Sequence, residues 1–462
     1  MAERFEIALE EWLPGQDGDP SLQATTAEIS IKVGSRYATE VEDRRAKTVR
    51  TSIRASAALL ASWLLSNWWR LRWEPYKKLD QTESLDWELS HSLAATGGGY
   101  VWPPLTFASD GASILVKCEG QTKSDSEDLS PIRYLNSFAG VIEPGDFESA
   151  VVGFVERVLD RLNTIKVRNT LVHELWAETT SELKDPRESS QRKLEALLGL
   201  DPEENDSLVK LLMKRWQGQI GQNALEEIAA ATASESVQNV LGAAQEAAQS
   251  IKVFAQVAEF HKLRASLDSE PSHHGGVPWK LGRDAAYIVR DSWGFGMGPI
   301  PTEAIADRLQ IPPSELDENR PHTPFSFAVK GNNEQQLGIV LSRRHSPSRR
   351  FDVARLIGDH LVFETNDSWR PATRSFTARQ KFQRAFAAEF LCPSDELARR
   401  YGARVDLDDL DDVTLAISKE YEVSEKIVLN HLANRALIPS WAAGDGQSGF
   451  MDTYRNLTTQ FE

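Results

Sequence analysis

The sequence predicts an α+β protein, mostly helical, with an α+β module at the N-terminus, a helical middle and a C-terminal domain of helices around a small sheet. Three observations carry this. Runs that alternate apolar and polar residues, Phe5–Trp12 and Ala27–Val33, fall in the first part of the chain. Apolar residues at helical spacing follow, as in Phe147, Val151, Phe154, Val155, Val158 and Leu162. Nearer the C-terminus, Phe325–Lys330 and Gln336–Leu341 flank the turn Gly331, Asn332, Asn333, a hairpin pattern set among helices.

A chain of 462 residues has room for two or three domains with ordinary cores. Composition breaks divide it into an N-terminal module at 1–140, a helical middle at 141–267, a linker at 268–278 and a C-terminal domain at 279–462. The formal net charge of -16 disfavours an extended surface for nucleic acid or anionic membrane. Cys118 and Cys392 lie far apart and read as small buried side chains in a reducing compartment. The opening residues, MAERFEIALEEW, lack a signal pattern, so a cytoplasmic location is expected. Ala55–Trp73 is too short in its apolar part to span a membrane and is interrupted by Ser62, Ser66 and Asn67. It reads as one buried helix, with Arg44, Arg45, Lys47, Arg50 and Arg54 at its wet end.

In the N-terminal module, Ser113–Cys118 reads as a strand after the turn Ser109, Asp110, Gly111. Trp63, Trp68, Trp69, Trp73 and Trp102 form an aromatic cluster. They are candidate partner-binding residues, since each ring supplies large area at low entropy cost; filling the core of a small domain is the competing reading. Gly97, Gly98 and Gly99 precede an aromatic and proline run with no Lys-Ser/Thr pair after it, which makes a turn rather than a phosphate loop. Glu119–Ser130 has the composition of an exposed loop.

In the middle, Asp146 is the expected N-cap of the first helix. Helical segments follow at Arg192–Leu200, at Leu208–Trp216 after the acidic break Asp201–Asp206, and over Ala224–Leu267 with a break near Ser234 or Gly242. His173-Glu174 begins like a zinc-protease helix but has no second histidine, so it reads as surface or cap. The linker Asp268–Gly276 carries His273 and His274 in a loop.

From Trp279 onward the chain holds a helix-turn-helix stretch, DAAYIVRDSWGFGMGPIPTEAIADRLQIP, then the hairpin, then RRFDVARLIGDHLVF and ARQKFQRAFAAEFLCP. Thr302 with Glu303 and Asp307 suits a helix start, and Gly294, Gly296 and Gly298 suit the turn before it. Over about residues 279–440 this order resembles the ImmA/IrrE family of bacterial metallopeptidases, a zincin-type fold. There a helix of the form RF-x-x-A-H-E-x-G-H is followed by a helix ending FAAELL-x-P. Where the family has its first zinc histidine this chain has Arg355, for the catalytic glutamate it has Leu356, and for the second histidine Asp359. The stretch that would supply the acidic ligand reads Arg379, Gln380, Lys381, Phe382, Gln383. A leucine cannot be a base and an arginine has no lone pair for a metal. The resemblance therefore implies a degenerate site with no catalytic residue, no metal and no cofactor. Arg355 and Asp359, four residues apart on one helical face, are expected to pair with each other in place of zinc. His360, Arg384 and Glu389 are candidate members of the same polar cluster.

LAISKEYEVSEKIVLNHLANRALIP resembles the family's C-terminal helix pair, with Ser424 as N-cap and Ile427, Val428, Leu432 and Leu437 as core. Its only cations on the recognition-like helix are Lys426 and Arg435, after the acidic run Asp406–Asp412, which disfavours DNA reading. The expected function is a non-catalytic interaction scaffold or regulatory subunit in a bacterial stress, toxin–antitoxin or phage-defence circuit, with a protein partner encoded nearby. A peptide groove beside a sheet edge is its expected binding place. Two alternatives stand beside it: a zinc metalloprotease with a rearranged site using Asp359, His360 and Glu389, and a DNA-binding transcriptional regulator.

Overall fold

The computed structural model describes residues 2–443 except 17, 78–80, 122–130, 261–262, 265–266, 268–276, 318–322, 334, 364–365 and 403. Most of the linker, with His273 and His274, and most of the loop Glu119–Ser130 lie outside the described residues. The chain forms two compact units, one built on Met1–Lys210 and the other on Leu211–Ser448. The helices expected over 141–267 are distributed accordingly, those up to Lys210 in the first unit and the rest in the second.

Among the described residues the first unit is α+β with three small antiparallel sheets. β1 (Phe5–Trp12) pairs with β2 (Thr26–Val33), with α1 (Pro20–Ala24) between them in sequence; β2 also pairs with β3 (Arg36–Tyr37) and β6 (Ile53–Ser56). β4 (Val41–Asp43) lies between β5 (Thr48–Arg50) and β9 (Ile132–Tyr134). β8 (Ile114–Glu119) lies between β7 (Leu105–Ser109) and β10 (Ser137–Ile142). The alternation of β1 and β2 puts Phe5, Leu9, Ile29, Ile31 and Val33 into one core. Arg44, Arg45, Lys47, Arg50 and Arg54 belong to these strands and their turns, not to a helix end.

Ala55–Trp73 is not one helix. α2 (Ala57–Ser66) stops at Asn67 and α3 (Trp68–Trp73) restarts. The Asn67 backbone N–H and its side-chain amide both donate to the Trp63 carbonyl, at 3.1 and 2.8 Å, and this local competition bends the chain. Among the described residues no helix is long and apolar enough to cross a membrane. α4 (Gln81–His91) follows, and Gly97, Gly98 and Gly99 all take positive φ, which confirms the turn. α5 (Pro144–Thr164) begins three residues earlier than the Asp146 cap implied, with Glu143 at the cap, because Pro144 fits the first helical position. Its expected stripe is buried throughout. α6 (Leu171–Lys184) and α7 (Pro186–Leu198) complete the unit, with His173 at the α6 start beside Thr170 Oγ1, 2.9 Å away.

α8 (Asp206–Leu212) runs through a π-helical turn at Met213–Gln217 into α9 (Gly218–Ile220), α10 (Gln222–Ala229) and α11 (Val237–Gln249). The alanine-rich run thus breaks around Ser234, while Gly242 stays inside α11. After α11 comes an unforeseen strand, β11 (Phe254–Gln256). Then follow α12 (Pro278–Ser292), α13 (Thr302–Leu309), α14 (Ser314–Asp317), β12 (Ser326–Lys330), β13 (Gln336–Val340) and α15 (Ser346–Val362). β14 (Trp369–Ala372), α16 (Ala378–Leu391), α17 (Ser394–Tyr401), α18 (Leu410–Tyr421) and α19 (Glu425–Asn434) close the chain. The sheet is antiparallel in the order β11-β13-β12-β14.

Two glycines let the helices of this unit approach closely. A Cβ on Gly282 of α12 would lie 2.5 Å from the Phe382 carbonyl of α16, and one on Gly358 of α15 would lie 2.5 Å from Phe386 Cγ. α16 is therefore gripped from two sides, with Phe382, Phe386, Ala387, Phe390 and Leu391 in the core.

Candidate functional site

α15, α16 and β14 bring Arg355 and Asp359 together with Arg370, Arg379, Gln380 and Gln383 in a closed polar core. Asp359 is fully buried. Its carboxylate receives Nε and Nη2 of Arg379 at 2.6 and 2.7 Å, Nε2 of Gln383 at 2.8 Å and Nη1 of Arg370 at 3.2 Å. The two-pronged contact from Arg379 is the fork geometry that guanidinium and carboxylate share. Burial pushes the Asp359 carboxyl up, but the charge and hydrogen bonds of Arg379, with Arg370 and Gln383, outweigh it and hold the group down at about 2.

The expected Arg355–Asp359 pair does not form. Arg355 turns to Asp352 at 3.2 Å, the Thr373 carbonyl at 2.6 Å and Gln380 Oε1 at 2.5 Å. The reason is competition: Arg379 reaches Asp359 from the facing helix with two aligned donors, and Arg355 finds a carboxylate one turn back on its own helix. Burial lowers the Arg355 guanidinium from its ordinary value, and Asp352 opposes that. Asp352 also accepts from Ser326 Oγ at 2.6 Å and Arg343 Nε at 3.3 Å. Leu356 packs in the apolar core.

The outer edge of β14 is occupied too. Gln380 donates to the Pro371 carbonyl at 3.0 Å and accepts from the Thr373 N–H at 2.9 Å, and Gln383 adds a bond to the Pro371 carbonyl at 3.1 Å. These are the backbone groups that an added strand would seek. α10 closes the same side: the buried Glu227 accepts from Thr377 Oγ1 at 2.7 Å, and burial raises its carboxyl. The groove expected beside this sheet edge is therefore filled by the chain's own side chains.

The remaining site candidates do not join this core. His360 is half-buried with its ring 5.8 Å from that of Phe260. Arg384 donates to the Ser375 carbonyl at 2.9 Å and sits over the Phe376 ring. Glu389 accepts from the Ser394 N–H and hydroxyl at 2.8 and 2.7 Å and from the Tyr287 hydroxyl at 3.2 Å. The sequence reading missed Asp352, Arg370, Thr373, Thr377 and Glu227 as members. Trp63, Trp68, Trp69 and Trp102 are buried in the core of the first unit, and Trp73 is half-buried between Arg72 and Lys193, which lie 3.9 and 4.2 Å from its ring. The tryptophans therefore fill a core, and none offers an open ring to a partner.

Chemically, this core holds Arg355, Arg370 and Arg379 with the carboxylates of Asp352, Asp359 and Glu227 and glutamine amides between them. Its members include no imidazole, and both oxygens of Asp359 are engaged by guanidinium groups. Among the described residues no group of three or more His, Cys, Asp or Glu side chains could hold a metal ion. Comparison with protein-family models, with curated proteins and with solved structures found no match for this chain.

Proposed function

We propose that the chain is a non-catalytic interaction scaffold or regulatory subunit of the bacterial cytoplasm, built on a metallopeptidase-like helix pair whose metal site is replaced by fixed ion pairs. The observation that carries this reading is Asp359, which stands where a zinc ligand would and has both carboxylate oxygens engaged by Arg379. A rearranged hydrolase is disfavoured because Asp359, His360 and Glu389 are each held by different partners. A DNA reader is disfavoured because Arg435, the cation that caps the end of α19, is paired with Asp395. The filled β14 edge means that the partner surface we propose lies elsewhere on the chain.

The test is to mix the purified chain with each protein encoded beside it and follow complex formation by size-exclusion chromatography and intact mass. A stable complex with an uncleaved partner supports the reading. Cleavage that disappears in Asp359→Asn overturns it in favour of the hydrolase.

A further inference from the structure

At one end of the second unit's sheet, the start of β12 meets the ends of β13 and β14, because these three strands run antiparallel side by side. A cavity of about 320 Å³ opens there, under the turn between α10 and α11. Its apolar wall includes Ala233, Val240, Phe325 and Ala372, and its charged groups are Arg343 and Arg374, with no carboxylate in the lining. Among the described residues Arg343 donates through Nε to Asp352 at 3.3 Å, and its two Nη groups make no ion pair there. Arg374 is exposed and makes no ion pair among the described residues. The volume falls at the lower end of the roughly 300–1,000 Å³ typical of small-molecule sites. In a chain of net charge -16 general attraction for anions is weak, so two cations at one apolar cavity are a local feature.

We infer that this cavity binds a small organic anion, a carboxylate or phosphate carried on a compact apolar group. The oxyanion would be held by the guanidinium groups of Arg343 and Arg374, which match it in planar fork geometry, and the apolar group would enter against Phe325 and Val240. The inference stands apart from the scaffold reading, since neither arginine bonds to Asp359 itself. Arg343 does touch Asp352, which in turn holds Arg355, so occupancy would be felt at the polar core.

The experiment uses the full chain with phenyl phosphate and benzoate as probes and phenol and inorganic phosphate as controls, read by calorimetric titration. The expected result is saturable binding of at least one organic anion. That binding weakens about tenfold or more in Arg374→Ala and in the cavity-filling Ala233→Phe, with melting temperatures unchanged. Arg374 is exposed, so its loss does not endanger folding. The inference is overturned if neither anion binds, if binding is unaltered in both variants, or if phenol or inorganic phosphate binds as well as the organic anions.

Discussion

Replacing Asp359 by asparagine removes one charge and leaves two guanidinium groups, Arg379 and Arg370, buried without their carboxylate. Asparagine keeps the shape and one acceptor, so the loss reports charge rather than a cavity. Breaking a buried, hydrogen-bonded ion pair from one side costs roughly 3–5 kcal/mol, against about 0–1 for an exposed pair. Arg400 with Glu420, at 2.6 Å on the surface, supplies the exposed control through Glu420→Gln. In a unit of this size the loss corresponds to a fall in melting temperature on the order of 10 °C. Because the chain has two compact units, the assay is scanning calorimetry, and the shift should fall on one transition while the other holds. A pH series adds a sign. The folded Asp359 carboxyl is depressed to about 2, so its stabilisation is full above the ordinary carboxylate range and is lost as pH falls toward 2. Asp359→Asn should remove that part of the acid limb. A loss below about 1 kcal/mol, indistinguishable from the exposed control, would refute the buried ion-pair core.

Gly358→Ala places a methyl 2.5 Å from Phe386 Cγ and should destabilise the second unit by about 1–3 kcal/mol in the same calorimetry, although alanine favours helix. His91 in the first unit is buried and stacked on Trp87, with Glu74 and Arg70 nearby, and burial lowers its imidazole to about 4. The unfolded chain takes up that proton near its ordinary value of 6.5 and the folded chain does not, so stability should fall by about 3 kcal/mol between these values as pH drops. Denaturant midpoints of wild type and His91→Gln between neutral pH and pH 4 check this, with the variant expected to lose that slope.

The helices of the candidate site were legible because an apolar stripe is a local signal, with Phe382, Phe386 and Phe390 on one face; the start signals, Pro347 in the first turn of α15 and Thr377 capping α16, went unread. The pairing inside the site was not. Spacing on one helix points to Arg355 and Asp359, while the partner that wins, Arg379, lies twenty residues on and is brought there only by packing of α16 on α15. β14 escaped notice because Pro371 reads as a break; at a sheet edge its missing N–H does no harm, and its carbonyl is taken by Gln380 and Gln383. β11 is three residues long within a stretch of helical composition. The Asn67 break was hidden because apolar residues continue on both sides of it. The polar stretch Arg379–Gln383 was the one visible signal of the core, since a buried helix face seldom carries so many donors without a buried acceptor.

Elemental analysis of the chain purified without chelators decides whether the Arg379–Asp359 ion pair takes the place of a metal, as we propose. The expected result is no stoichiometric zinc, before or after incubation with zinc and dialysis, and no change in Asp359→Asn. One zinc per chain, lost in Asp359→Asn, would contradict it and restore the hydrolase.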